Sequence, residues 1–287
     1  CSKTGRISDI AYDSWKTFLP QEAVQSIPIW PCITKYNPYD LEVVKKVLWP
    51  NSPGSEETIP ALLINEHIPP QWRYEPDDTA KCPLRILRFL NHLFPKEECR
   101  DFFLNWLRNA ILSRNNTNLV LNSVKGTGKN ILVEDGIFNL FGSTNCGKAH
   151  RAFLTSNFNS VLLNKRIILL DEQRIDTPDK QDKIKDYSNP QQNVERKGKD
   201  ADSTVETFHS FILLNNRETD IKLEQDDRRY SVMDMAEVRL DSVMSESEIR
   251  KLIADFRDPV KIHSFGNWIL HHCEDDRWTT ESAYKGD

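Results

Sequence analysis

The chain has 287 residues, 28% of them charged, and a net charge of −5, with a mean hydropathy of −0.58. That length supports a sizeable core in one or two domains, and no apolar run approaches the ~18 residues that a membrane span needs. The acidic balance excludes a surface coated for nucleic acid, although a local basic patch is compatible with it.

Residues 1–60 mix short apolar groups with Pro20, Pro28, Pro31, Pro38, Pro50 and Pro53, a texture that predicts short helices and loops. Residues 50–57 read as a solvent-exposed turn or linker. His67-Ile-Pro-Pro-Gln-Trp-Arg73 is expected to be extended, because neither proline tolerates a helix interior. Helices follow at about 83–93 and 95–113, where Leu84, Leu87 and Leu90, then Phe103, Trp106, Leu107, Ala110 and Ile111, recur at helical spacing. These aromatics read as core.

Beyond residue 116 strands and helices alternate. Strands are predicted at 118–122, 166–171, 192–196, 204–208, 210–215 and 229–234, and helices at 129–141, 178–187, 245–256 and 259–273. Such alternation predicts an α/β sheet with its ligand at the carboxyl ends of the strands. The expected division is a mainly helical domain over 1–115 and the α/β domain over 116–287. The six cysteines (Cys1, Cys32, Cys82, Cys99, Cys146, Cys273) form no C-x-x-C pair, so reduced thiols are expected rather than a zinc or disulfide framework. The chain starts at Cys1 with no secretory pattern, and the expectation is an intracellular fragment of a longer protein.

The segment Asn118-Leu-Val-Leu-Asn-Ser-Val-Lys-Gly-Thr-Gly-Lys-Asn130 has the order strand, glycine loop, helix. In a phosphate-binding loop the glycines let backbone N–H groups approach the phosphates, the helix N-terminus favours anions, and Lys129 supplies a point charge. The full pattern G-x-x-x-x-G-K-[ST] is broken by Ser123 and Asn130. The Asn130 carbonyl is still a hard oxygen suited to magnesium. An ordinary glycine turn is the plainer alternative.

Lys165-Arg-Ile-Ile-Leu-Leu-Asp-Glu172 is a buried strand that emerges on two carboxylates. In a phosphoryl-transfer site Asp171 would hold Mg²⁺ and Glu172 would polarise the attacking water. Ser210-Phe-Ile-Leu-Leu-Asn-Asn216 ends on amides able to donate and accept at once, although Asn-Asn is also a common turn. Residues 194–200, with Arg196, Lys197 and Lys199, read as a basic hairpin, either a solvated turn or a grip on a single-stranded backbone. Arg228 and Arg229 are either surface ion pairs or an arginine finger serving a neighbouring subunit.

This ordered set over residues 95–235 resembles the superfamily 3 helicases, especially the branch fused to primases in phages, plasmids and large DNA viruses. Within it, the chain looks like the C-terminal portion of a deep-sea vent phage primase-polymerase. The resemblance implies an AAA+-type sheet flanked by helices, with a helical collar before it. It also implies a hexameric ring that hydrolyses ATP with Mg²⁺ on single-stranded DNA, in the host cytoplasm, beside an N-terminal primase or polymerase domain. It assigns Lys125, Gly126, Thr127, Gly128, Lys129 and Asn130 to the nucleotide, Asn130 and Asp171 to the metal, and Glu172 as the base. Asn216 becomes the sensor, Arg196, Lys197 and Lys199 the DNA contacts, and Arg228 or Arg229 the finger. A nucleotide-binding ring that tethers a primase-polymerase without unwinding is the alternative, and a P-loop kinase or metabolic NTPase with a small-molecule pocket is a third.

Overall fold

The structure is a computed structural model that describes residues 32–42, 44–50, 56–150, 152–156, 159–171, 175, 177–194, 204–216, 227–279 and 283–284. Glu172, Arg196, Lys197 and Lys199 lie outside the described residues, as does most of the 50–57 linker. The chain divides into two compact units, Cys1–Ile68 and Pro69–Asp287.

In the first unit, strands β1 (Cys32–Lys35), β2 (Val44–Pro50) and β3 (Thr58–Asn65) form a sheet of order β1-β3-β2. This differs from the short helices and loops expected there. The prolines misled, because they sit where a strand tolerates them. Pro50 ends β2, and Pro60 sits in register with Leu48 of β2, two residues before the described pairing of β3 with β1 begins at Leu62. Buried Asn65 holds the β1–β2 connection by accepting from the Asn37 backbone at 2.8 Å and donating to the Asp40 carbonyl at 2.9 Å.

The second unit opens with helices α1 (Leu84–Leu93) and α2 (Glu97–Leu112), close to their expected spans. A parallel five-stranded sheet follows, made of β4 (Asn118–Ser123), β5 (Cys146–Ala149), β6 (Ile167–Asp171), β9 (Ser210–Asn216) and β10 (Tyr230–Asp234). Its order is β10-β4-β9-β6-β5. Helix α3 begins as a π-wound segment, Ile131–Ile137, and finishes as an α-helical turn, Phe138–Phe141. Helices α4 (Pro178–Tyr187), α5 (Glu246–Arg257) and α6 (Pro259–His272) complete the described layers. The fold class is the α/β sheet flanked by helices that the sequence predicted.

The apolar strand runs are buried on both faces, as parallel sheets require. Leu119, Leu121, Ile167, Leu169, Ile212, Leu214 and Met233 enter one core with α1, α2, α3, α5 and α6. The alternate residues Val120, Ile168, Leu170, Phe211 and Leu213 enter a second core with Phe153, Leu162 and Ile184. Period-two alternation therefore splits each strand between two cores. Buried Asp255 of α5 is paired with Arg85 of α1 and Lys261 of α6, which fastens the helical layer.

Helices α1 and α2 thus pack on the sheet, although the composition change near residue 116 placed them with the N-terminal part. Phe94 and Phe103 stack at 4.5 Å, and both are fully buried. Trp106 donates to the Thr117 carbonyl at 3.0 Å, directly before β4. A chain starting at Pro69 is expected to unfold in one cooperative transition in urea. A chain starting at residue 116 is expected to give no such transition, because Leu119, Leu121 and Met233 lose their cover. A cooperative transition from the shorter chain would return these helices to a separate domain.

Candidate functional site

The loop after β4 is built for close approach to an anion. Gly126 has φ +88° and Gly128 has φ +106°, conformations that side chains rarely adopt. A Cβ on Gly128 would also lie 2.8 Å from the Phe89 ring of α1. The Gly126 carbonyl accepts from the Leu240 backbone at 2.9 Å, and His92 of α1 bonds the Thr127 backbone. The loop is therefore braced from two sides before any ligand arrives. Inside it, the Ser123 and Thr127 hydroxyls lie 2.8 Å apart, both fully buried.

Lys129 is turned into the loop. Its ammonium donates to Ser123 Oγ at 2.7 Å, to the Ser123 carbonyl at 3.0 Å, to the Val124 carbonyl at 3.1 Å and to Asn216 Oδ1 at 3.2 Å. Burial pulls its pKa down to about 8, with Asp171 pulling the other way. Ser123, a departure from the glycine-loop pattern, is thus a hydrogen-bond partner of the lysine.

Sheet order explains how Asn216 reaches this lysine. Strand β9 lies between β4 and β6, with Asn216 in register with Ser123 and Leu214 in register with Asp171. The ends of three chain-distant strands therefore meet in one row. Asn215 faces its neighbour Asn122 at 3.3 Å, which leaves Asn216 as the amide at the lysine.

At the other side of the row, Asn130 donates from Nδ2 to Asp171 Oδ2 and to Glu134 Oε1, each at 3.3 Å. Lys148 of β5 reaches the same two oxygens, at 3.0 Å from Asp171 and 2.9 Å from Glu134. Sequence reasoning missed both Lys148 and Glu134. Strand β5 has only four residues with no alternating pattern, so nothing marked Lys148. Glu134 lies one helical turn from Asn130, and that spacing was the available signal.

Lys129, Asn130, Asp171 and Asn216 line a cleft of about 870 Å³ that also takes in Lys125, Lys180, Thr155 and the apolar Ile131, Leu240 and Ile249. Three lysines beside open backbone N–H groups suit a polyphosphate, and the apolar wall suits a planar base. Asp171 with the Asn130 carbonyl is a donor set of the kind that Mg²⁺ uses, one or two hard oxygens completed by phosphate and water.

The hairpin predicted at 194–200 is described only at its base. Strands β7 (Gln191–Gln192) and β8 (Val205–Glu206) pair antiparallel, and Thr204 Oγ1 donates to Asn193 Oδ1 at 3.0 Å. Arg228 and Arg229 are exposed and precede β10. The Arg229 carbonyl accepts from the Asn118 backbone at 2.7 Å, at the amino end of β4. Six strand residues separate that end from the loop, about 16 Å at the usual rise. The structure does not bring this pair to its own chain's glycine loop.

Comparison with solved structures is decisive for the fold. The apo C-terminal region of NrS-1 superposes with a TM-score of 0.69 and 20% identity, over 94% of this chain and 63% of that one. This chain has the fold of that region. A second apo structure of the NrS-1 region, residues 305–718, gives a TM-score of 0.66 and 19% identity, over 90% of this chain and 60% of that one. The chain thus spans about three fifths of these structures. JCV helicase matches at a TM-score of 0.39 with 16% identity, over 65% of this chain and 52% of that one. Residues 121–229 match the model of a family of unknown function, DUF5906. No curated protein matches the sequence.

The lowered Lys129 pKa has a measurable consequence. A lysine at about 8 begins to lose its proton as pH rises through that value, whereas an anion beside it restores the charged form. Affinity for a polyphosphate anion in this cleft should therefore fall as pH rises through about 8. Binding at about pH 8.5 should take up a fraction of a proton, read by titration calorimetry in buffers of different ionisation heat. A Lys129→Met chain should bind more weakly with a flat profile. Binding without proton uptake would contradict the buried-amine assignment.

Proposed function

We propose that this chain is the helicase-like ATPase module of a DNA replication protein. It hydrolyses ATP with Mg²⁺, couples turnover to movement on single-stranded DNA, and acts in a longer chain with a primase or polymerase domain. The observation that carries the reading is the row formed by Lys129, Asn216 and Asp171. Register places an amide between a phosphate-type lysine and a carboxylate.

In this reading Lys129 leaves Ser123 and Val124 for the phosphates. Asn216 keeps its contact with the lysine and orients the attacking water, and Glu172 accepts the proton. Asp171 and Asn130 hold the divalent cation, which supplies neutralisation of phosphate charge. Catalysis is mostly positioning and electrostatics. Arg228 or Arg229 lies too far from its own chain's loop, so it serves the site of a neighbouring copy in a ring, a hexamer by the helicase resemblance.

The second reading, a nucleotide-binding ring that tethers its partner domain to DNA with little turnover, is favoured by the retracted Lys129. Four acceptors within 3.2 Å already occupy the amine, and an incoming phosphate would have to displace them. Turnover measured with and without single-stranded DNA separates the two. DNA-stimulated hydrolysis that disappears in Glu172→Gln and Lys129→Ala supports the motor. Nucleotide binding with no hydrolysis, rescued by Ser123→Gly, supports the tether. Hydrolysis untouched by Lys129→Ala removes the phosphate-loop assignment from both.

The basic hairpin is the proposed DNA contact. Replacing Lys197 and Lys199 together by Ala should weaken single-stranded DNA binding and lower its salt slope by about 1.4, near 0.7 per lost phosphate contact. An unchanged slope would remove the hairpin from the DNA path.

A further inference from the structure

Lys148 is unexplained by the reading above. It stands near the carboxyl end of edge strand β5, in register with Leu169, one strand away from Asp171. Its ammonium is 3.0 Å from Asp171 and 2.9 Å from Glu134. The carboxylates share a second bridge, the Asn130 amide, which gives each a hydrogen bond at 3.3 Å. Two acids from β6 and α3 thus converge on one cation from β5, and the pairing holds the Lys148 pKa above its ordinary value. Asp171 is four-fifths buried, while Lys148 is nearly half exposed. The lysine is able to swing into solvent without unpacking the core, whereas the carboxylate is fixed by its strand.

We infer that Lys148 is a resident counter-ion whose ammonium competes with a divalent cation for Asp171 and Glu134. The inference rests on the nucleotide-hydrolase reading of this cleft and adds a control on it. Like charges cannot share Asp171 Oδ2, so a metal enters only as Lys148 leaves. Lys148 is a positioning residue: it keeps two acids from repelling each other across the cleft and raises the metal concentration at which the site fills. The Asn130 amide turns with the exchange, because it offers N–H to carboxylates and must offer its carbonyl to a cation. Release of Lys148 beside the lysine-rich mouth also adds one positive charge for the incoming phosphates.

The test is Mn²⁺ binding to the whole chain without nucleotide, read from the free-ion paramagnetic resonance signal. Lys148→Met and Lys148→Gln should each bind Mn²⁺ about three- to ten-fold more tightly than the unaltered chain, since a charged competitor is gone. Lys148→Arg should stay within about two-fold, because the charge is retained. Asp171→Asn added to Lys148→Met should abolish the gain. Equal or weaker Mn²⁺ binding in both neutral variants overturns the inference, and so does a gain that survives Asp171→Asn. A fluorescent ATP analogue titrated in chelator separates this from failure of the functional reading. Analogue binding with no Mn²⁺ response removes the counter-ion alone. Loss of analogue binding in the unaltered chain removes both.

Discussion

The site depends on one constraint, the insertion of β9 between β4 and β6 in an all-parallel sheet. Parallel strands carry their carboxyl ends to the same edge, so a loop, an amide and a carboxylate from three distant segments meet without any long side chain having to bridge them. Register then sets the detail. Asn216 stands opposite Ser123 and Asp171 opposite Leu214, and a shift of one residue would turn each side chain to the other face. The two cores hold that register by burying alternate residues of each strand.

Charge at the edge is balanced internally. Lys129 is answered by carbonyls, a hydroxyl and an amide, and Asp171 by Lys148 and Asn130. A nucleotide with its cation carries groups of both signs and would exchange with each of these internal partners. Binding of such a ligand would therefore replace existing contacts, and its net affinity would reflect a difference between two well-bonded states. Ser123 strengthens the ligand-free side of that balance, because a glycine there offers no hydroxyl to the lysine. Arg228 and Arg229 stand at the amino end of β4, so each chain separates its glycine loop from these two arginines by the length of a strand.

Much of this was legible in the sequence. The glycine loop, the Asp171 carboxylate and the Asn-ending strand were visible because local backbone chemistry dictates them: glycines for positive φ, apolar runs for doubly buried strands, polar residues where those strands emerge. Helix spans followed from periodicity, and 178–187 was predicted to the residue. The N-terminal sheet was missed because proline content was weighed above strand pairing. Strand pairing is a property of the neighbours as much as of the segment itself.

The sequence by itself determined which chemical groups end the strands and that a glycine loop leads into α3. Those are local properties, set by a few adjacent residues. Tertiary structure decided which groups touch: that Asn216 rather than Asn215 meets Lys129, that α1 and α2 belong with the sheet, and that Lys148 and Glu134 enter the site at all. The physical reason is that strand order is set by packing over the whole unit. A lysine on a four-residue edge strand acquires meaning only from the carboxylates that the fold places beside it.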